Sequence, residues 1–249
     1  MPLRLQEAPR AMLDQTGRAT VTLSVHRFPG LSGAAFAIGQ MGRARFEIGR
    51  TPGIGFWKLC GTGTGLGFRP RPNWAVWTIL AVWPDEETAR EGVATGPVFR
   101  RWRDRAAEAC TIYMEPLRSR GRWAGVEPFP VDGPPRSGEG DGRPVAVLTR
   151  ATVKPWAVSR FWPLVPDVEG DLEKAESVRF HVGMGEVPWL HQVTFSVWDD
   201  LEDMHRFAHA SGAHAVAARE SLERNWFSEY LFARFAVIGA DGRWRGRAP

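Results

Sequence analysis

Hydrophobic and polar positions alternate along several short segments of the chain, which is the pattern of half-buried β-strands. Longer segments, in which apolar residues recur every three or four positions, indicate helices that pack on a sheet. In the first half we predict strands over 21–28, 56–60, 74–83 and 110–115, with helices over 33–44 and 85–109. In the second half we predict strands over 145–152, 178–182, 190–198 and 230–238, with helices over 156–174 and 200–224.

Both halves therefore have the order β-α-β-β-α-β, and both end in a Gly-Arg-Trp motif, at Gly121 and Gly242. This is the order of a ferredoxin-like unit. We predict an α+β fold of two tandem ferredoxin-like repeats, whose antiparallel sheets pack face to face as a dimeric-type α+β barrel within one chain. Its predicted parts are a flexible N-terminal segment, a first repeat, a Pro- and Gly-rich linker and a second repeat, over residues 1–18, 19–124, 125–143 and 144–249.

Composition narrows the class of protein. Hydrophobic residues make up 43% of the 249 residues, and no apolar run is long enough to cross a bilayer. The N-terminus lacks the apolar centre of a secretory signal, so we expect a cytoplasmic protein. Cys60 and Cys110 lie on different predicted strands, which fits a reducing compartment and excludes a cysteine-ligated iron–sulfur cluster. Any electrons must therefore come from a partner.

Arginine accounts for much of the formal net charge of +4 and is dense over 99–105 and 243–247. The sequence has no helix-turn-helix, zinc or RNA-recognition pattern, so we expect no nucleic-acid partner. A basic face instead suits acidic lipid headgroups, as in peripheral contact with the inner membrane, or an acidic electron-transfer protein. The 12 tryptophans are an unusually large number and suggest an aromatic-lined cavity, although core packing explains about half of them.

The glycine-rich segment 61–67 is not predicted to bind phosphate. A phosphate loop opens a helix, whereas this segment leads into another strand. The shorter glycine segment 183–185 also lies between two predicted strands, so both are interpreted as hairpin connections. Cys60 is predicted to be a half-buried strand residue rather than a thiolate ligand.

Five of the six histidines lie in the second half. His205 and His209 are four positions apart, which is the spacing of a metal-binding pair on a helix. No carboxylate is placed as in the H-E-x-x-H motif, so the pattern favours solvated helix histidines. His181 and His191 lie on strands, where we expect the ring to be hydrogen-bonded to the backbone.

His214 occurs in only one of the two repeats. The sequence Gly-Ala-His at 212–214 aligns with Gly-Pro-Val at 96–98, so the first repeat has no imidazole at this position. A flat helix face around one imidazole suits a porphyrin, which needs an axial nitrogen and close approach of its ring. On this pattern alone, an ordinary helix histidine and a haem ligand are equally compatible. If a helix resumes after Gly212, the neighbours that keep this face flat are Ala217, Ala218 and Ser221.

Six segments carry a collinear resemblance to the spheroidene monooxygenase family over most of residues 20–246. They are FWKLCGTGTGLGF at 56–68, PNWAVWTILAVWPDEETA at 72–89, LTRATVKPWAVSRFW at 148–162, GMGEVP at 183–188, HQVTFSVW at 191–198 and NWFSEYLFARF at 225–235. The resemblance implies an oxygenase that introduces a keto group at C-2 of acyclic carotenoids. It also implies molecular oxygen, electrons from reduced ferredoxin and a haem cofactor.

On this resemblance, His214 is predicted to bind the haem iron, with Ala217, Ala218 and Ser221 against the macrocycle. Hydrogen-bond donors on the oxygen side are then expected among Gln192, Thr194 and Arg150. Trp57, Trp74 and Trp77 are predicted to line an apolar groove for the polyene or to belong to the core. Two successive hydroxylations at one carbon give a gem-diol, which loses water to form the ketone.

Three alternatives stay open at this point. The chain can be a haem enzyme of the same fold, such as a dehydratase or dismutase, acting on a small polar substrate. It can be a non-catalytic haem- or carotenoid-binding protein. It can also be an oxygenase of the same barrel type that uses no cofactor.

Overall fold

A computed structural model describes residues 18–64, 71–131, 143–165, 170, 172, 174–209, 220 and 223–246, without the side chains of residues 208 and 209. The first repeat folds in the predicted order. Its strands are β1 Thr20–Arg27, β2 Trp57–Gly63, β3 Pro72–Trp83 and β4 Glu108–Gly121. Its helices are α1 Gly30–Glu47, α2 Glu86–Thr95 and α3 Pro97–Arg105, with a 3₁₀ turn at Ile48–Arg50 after α1.

The second repeat has the same strand order. Its strands are β5 Val145–Val153, β6 Val178–Gly185, β7 His191–Trp198 and β8 Phe227–Gly242. After β5 come a 3₁₀ turn at Pro155–Ala157, the short helix α4 Val158–Phe161 and a second 3₁₀ turn at Trp162–Leu164. Helix α5 Leu201–His209 follows β7.

Two predicted helices are divided in the structure. The helix predicted over 85–109 is two helices that meet at Gly96 and Pro97, because proline donates no N–H and favours the first turn of a new helix. Asp85 starts α2 as predicted, since its Oδ1 accepts a hydrogen bond of 2.7 Å from the Thr88 amide. In the described part of the helix predicted over 156–174, the short helix α4 lies between two 3₁₀ turns, and residues 170, 172 and 174 are again helical.

The eight strands form one closed barrel in the order β1-β3-β2-β6-β7-β5-β8-β4. Each repeat contributes a four-stranded antiparallel sheet in the ferredoxin-like order, so the predicted tandem α+β barrel is confirmed. The sheets join edge to edge, whereas we expected them to pack face to face. One junction, between β4 and β8, runs along Cys110–Gly121, while the other joins only Gly61 and Thr62 of β2 to Gly185 and Met184 of β6.

Strand side chains alternate between the barrel interior and its outer surface. The interior is one apolar core built by both repeats, in which Leu23, Leu80, Leu148 and Phe195 lie. Phe129 also packs there, with its ring centroid 5.1 Å from that of Phe235, so part of the predicted linker belongs to the barrel core. None of the helices in the described ranges is long and apolar enough to span a membrane.

Candidate functional site

The outer surface of the second sheet carries a group of polar side chains, which we call the polar face: Thr149, Gln192, Thr194, Ser196 and Arg234. Their strand neighbours Leu148, Val193, Phe195, Ala233 and Phe235 point into the barrel core. Because successive strand residues point to opposite sides, the polar face lies outside the barrel.

The middle of the polar face is built by hydroxyl groups on neighbouring strands. Thr149 on β5 pairs with Thr194 on β7, and their Oγ1 atoms share a hydrogen bond. Ser196 Oγ accepts a hydrogen bond of 2.9 Å from Trp198 Nε1. Gln192, on the same side of β7, is also buried. Two of the predicted oxygen-side donors, Gln192 and Thr194, therefore share one surface.

Arg234 is a buried cation on the polar face that the sequence analysis did not identify. Its Nη2 lies 3.1 Å from Nε2 of His205 on α5. Because an arginine nitrogen only donates, Nε2 of His205 is the acceptor in this contact. His205 is half-buried rather than solvated as predicted. The sequence carries one signal for this position, because Arg234 lies between Ala233 and Phe235, which both face the core.

Arg150 lies on the opposite side of the sheet from Gln192 and Thr194. It is buried inside the barrel near one end, where it forms an ion pair with Glu229 and lies 5.7 Å from the ring centroid of Trp123. The predicted grouping of Arg150 with those two residues is therefore wrong. Thr149 and Arg150 are adjacent on one strand, and adjacent strand positions face opposite ways.

A charged cluster closes this end of the barrel around Glu186. Lys58 Nζ lies 3.1 Å from Glu186 Oε1, and Trp123 Nε1 donates a hydrogen bond of 2.7 Å to Oε2. His191 Nδ1 is 3.5 Å from Oε2, so His191 contacts a carboxylate where we expected the backbone. Burial alone would raise the pKa of Glu186, but His191, Lys58 and Trp123 lower it to about 2. The cluster links β2 to the end of β6, where the barrel junction is short.

The strand register identifies which residues of the first repeat correspond to the polar face. Ser24 on β1 pairs with Ile79, as Thr149 pairs with Thr194. Thr22 likewise pairs with Ala81 and Tyr113, as Val147 pairs with Ser196 and Arg234. The first repeat therefore has Ile79, Ala81 and Tyr113 where the second has Thr194, Ser196 and Arg234.

In the first repeat, these positions belong to an apolar core beneath the helices. Ile79, Ala81 and Tyr113 pack in one cluster with α1, α2 and α3, and Trp83 and Trp102 are fully buried there. The described apolar cluster of the second repeat instead gathers Val153, Trp198 and Trp226 with the turns after β5. The two outer surfaces thus differ at these three positions, although β1 also places the buried polar residues Thr22, Ser24 and His26 on the first surface.

The three tryptophans predicted to bind substrate lie on the first repeat. Trp77 is buried in its apolar core, where Trp57 packs against the same cluster, while Trp74 is 52% exposed. The ring centroids of Trp74 and Trp77 are 6.4 Å apart, and Trp77 Nε1 donates a hydrogen bond of 2.8 Å to the Trp74 carbonyl. Their contact with a substrate stays a prediction.

Cys60 is a strand residue as predicted, although it is fully rather than half buried, and the two glycine segments are only partly the connections that we predicted. Cys60 is buried in the barrel core, and burial raises the pKa of its thiol, which keeps the sulfur protonated. The segment 61–67 leads from β2 to β3, which pair antiparallel, but residues 61–63 belong to β2 itself. Residues 65–70 lie outside the described residues. Residues 183–185 are not a hairpin connection as predicted, because they form the end of β6 and pair with β7 and β2.

His214, Ala217, Ala218 and Ser221, the predicted haem contacts, lie outside the described residues, as does the side chain of His209. Along the chain, their segment connects α5, which carries His205, to β8, which carries Arg234. Among the described residues, no three His, Cys, Asp or Glu side chains converge to hold a metal ion.

These features define a tandem ferredoxin-like α+β barrel with a polar outer surface on one of its two sheets. A solved aldoxime dehydratase in complex with butyraldoxime has the same fold, with a TM-score of 0.59 and 9% identity over 88% of this chain and 79% of that chain. No protein-family model matches the chain.

Two curated relatives identify the family. The spheroidene monooxygenase of Cereibacter sphaeroides is 45% identical over 92% of this chain and 70% of its own length. The spheroidene monooxygenase of Rhodobacter capsulatus is 42% identical over 92% of this chain and 94% of its own length. The chain belongs to the spheroidene monooxygenase family, and it is an oxidoreductase of the monooxygenase class.

Proposed function

We propose that this monooxygenase acts on acyclic carotenoids and introduces a keto group at C-2. The observation that carries the proposal is the collinear identity with relatives named for spheroidene. Each hydroxylation consumes one oxygen molecule, two electrons and two protons, places one oxygen atom on the carbon and releases the other as water. A second hydroxylation at the same carbon yields a gem-diol, which loses water to the ketone. Reduced ferredoxin is the proposed electron source.

We propose haem as the cofactor, held beside the polar face, where His214 would bind its iron. The donors of the polar face fit this group: the Arg234 cation would pair with a haem carboxylate, and the Thr194 hydroxyl would donate a hydrogen bond to molecular oxygen. Side chains at the middle of this face are also small, which suits close approach of a flat macrocycle. When bound, haem iron would supply the activation of molecular oxygen.

The residues of the polar face then act as donors at defined atoms. Thr149 and Thr194 share one hydrogen bond, so Thr194 Oγ1 has a partner that orients its proton. Arg234 Nη2 is held by His205 Nε2, which keeps the cation in one place in a buried setting. A fixed donor in a site that excludes water stabilises developing negative charge more than a mobile one does.

The absorption spectrum of the purified protein supplied with haem tests the cofactor proposal. We expect a Soret band in the unaltered protein, loss or a strong shift of that band in His214→Ala, and retention of it in the matched variant His209→Ala. An unchanged spectrum in His214→Ala would exclude that residue as the ligand and bring His205 or His209 forward. Absence of bound iron in the unaltered protein would favour a cofactor-free oxygenase.

Turnover separates this activity from the alternatives. With an acyclic carotenoid, oxygen and reduced ferredoxin, we expect a product heavier by one carbonyl oxygen and lighter by two hydrogens. Tight haem binding without turnover would instead support a carrier. Turnover of a small polar substrate alone would support another haem enzyme of this fold.

A further inference from the structure

Helix α1 exposes large apolar side chains on the side that faces solvent. Its buried side consists of Gly33, Ala37, Gln40 and Ala44. On the opposite side, Leu31 is 92%, Ile38 51% and Phe46 78% exposed. At about 100° per residue, positions 31, 38 and 46 fall within roughly a quarter of the helix circumference. They form one stripe, which we call the α1 stripe.

Nothing acidic interrupts the α1 stripe. Between its large side chains lie the exposed small residues Ala35, Gly39 and Gly42. A solvent-facing helix surface is ordinarily rich in charged residues, and an apolar one marks an interaction site. This helix therefore departs from the usual pattern on the side that no described element covers.

Basic residues gather at the C-terminal end of the α1 stripe. Arg43, Arg45 and Arg50 are exposed there. The one acidic residue nearby, Glu47, already accepts hydrogen bonds of 2.7 Å from Arg43 and from Arg101 of α3. The local charge around the exposed apolar side chains is thus positive, which is the combination found on helices that lie in the surface of an anionic membrane.

We propose that the α1 stripe docks this protein on an anionic lipid surface. Leu31, Ile38 and Phe46 would enter the boundary between headgroups and acyl chains, and Arg45 and Arg50 would meet lipid phosphates. This docking goes beyond the proposed reaction and depends on neither haem nor ferredoxin. A carotenoid is a long hydrocarbon that dissolves in lipid, so docking would bring the enzyme to it.

A second copy of this chain fits the α1 stripe less well than a lipid surface does. Helix α1 has 18 residues, so it is about 27 Å long and about 10 Å wide, a footprint of roughly 270 Å². A stable protein interface needs about 800 Å² from each partner. The α1 stripe supplies about a third of that area. Binding to a bilayer, in contrast, requires no contact beyond the stripe itself.

The basic stretch 99–105, which the sequence suggested for membrane contact, is partly used in packing. Arg101 bonds Gln40 and Glu47 of α1, and Arg103 donates to the carbonyls of Val93 and Ala94. These two arginines hold α3 against its neighbours. The membrane-facing surface we infer is therefore α1 rather than α3.

Co-sedimentation of the full chain with vesicles tests the proposal. We expect binding to vesicles that contain phosphatidylglycerol, weaker binding to pure phosphatidylcholine, and loss of binding as salt rises. The double variant Leu31→Asn/Phe46→Asn should lower the apparent partition coefficient about tenfold or more, because it removes two large apolar side chains from the lipid contact. Both side chains are exposed, so their replacement should leave the fold intact. Arg45→Glu/Arg50→Glu should lower it only on the anionic vesicles.

The matched control is Trp156→Asn, which replaces an exposed apolar residue of the second repeat. This variant should bind vesicles like the unaltered chain. The proposal is overturned if the Leu31→Asn/Phe46→Asn variant binds as well as the unaltered chain, or if the unaltered chain binds neither vesicle. Analytical ultracentrifugation that shows a dimer dissociated by the same double variant would overturn it in favour of a second copy. Each readout is independent of turnover, so a failed oxygenase assay leaves this test intact.

Discussion

The outer surfaces of the two sheets differ although their strands correspond residue by residue. In the first repeat, Ile79, Ala81 and Tyr113 are packed beneath three helices. In the second, Thr194, Ser196 and Arg234 occupy the same register positions. Burying polar groups is costly unless they are hydrogen-bonded, so an apolar surface is the simpler way to pack a helix on a sheet. β1 also buries Thr22, Ser24 and His26 on the first surface, so the contrast concerns these three positions, and the variants below test whether it reflects chemistry or stability.

The first prediction removes the cation of the polar face. Arg234→Leu should lower kcat/KM for carotenoid oxidation about 100-fold, because under the proposed function it removes the cation that would hold a haem carboxylate, and a hydrogen bond between charged groups contributes up to about 3 kcal/mol. Its free energy of unfolding should stay equal or rise, because an apolar residue of similar size avoids the desolvation of a charge. Steady-state kinetics and urea denaturation of the same preparation measure both quantities.

Arg206→Leu is the matched control for this substitution. Arg206 lies on the exposed side of α5 and pairs with Glu202 and Asp203, so its removal should change activity and stability little. If Arg234→Leu instead destabilises the protein and leaves kcat/KM unchanged, Arg234 is a structural residue and the contrast between the two surfaces loses its functional meaning.

The second prediction exchanges one pair of corresponding residues. Ile79→Thr should lower the free energy of unfolding by about 2 kcal/mol, because it replaces a buried ethyl group of the apolar core with a hydroxyl. The activity of the folded fraction should not change. Thermal or urea unfolding followed by circular dichroism measures the loss.

The reciprocal variant Thr194→Ile should have the opposite profile. It removes the hydroxyl that Thr149 bonds and brings the apolar residue of the first repeat onto the polar face. We expect about a tenfold loss in kcat/KM, which corresponds to the net contribution of one neutral hydrogen bond, up to about 1.5 kcal/mol, with a smaller change in stability. Equal profiles for the two variants would show that the surfaces have the same role.

Local patterns were sufficient to predict the repeat and its strands, but not the faces that the strands present. Alternation places Thr149 and Arg150 on opposite sides, yet which side is inside depends on pairing with β7 and β8, which are distant in sequence. The closure of the barrel through β2 with β6 and β4 with β8 is likewise non-local. One usable signal was the first repeat itself, because Arg150 corresponds to Val25 of the barrel core.

Arg234 was missed for a related reason. The only local signal is an arginine within an otherwise apolar strand, and this arginine belongs to no sequence motif. Its meaning appears when Tyr113 is found at the same register position and His205 is found 3.1 Å away. The contact with His205 joins a helix to a strand and cannot be inferred from spacing along either element.

The third prediction uses pH to test whether the outer surface of the first repeat is closed to water. His26, on that surface of β1, is stacked on Phe28 and lies edge-on to Trp102, with ring centroids 6.1 and 5.4 Å away. Burial, reinforced by the positive charge of Arg103, lowers its pKa to about 3. Below a pH of about 6.5, the unfolded chain therefore takes up a proton that the folded protein does not.

Stability should consequently fall as the pH drops from about 6.5 toward 3, by at most about 1.4 kcal/mol per pH unit. Glu186 has its pKa lowered to about 2, so the stability it contributes is lost only as the pH falls below its usual value near 4.5. Urea unfolding between about pH 6.5 and 5 thus isolates His26 from that carboxylate. His26→Phe keeps an aromatic ring at this position but cannot be protonated. In this pH window, its free energy of unfolding should therefore change less steeply with pH, by the equivalent of up to one bound proton. An equal slope in both proteins would mean that His26 is protonated in the folded state, and that the first surface is open to water.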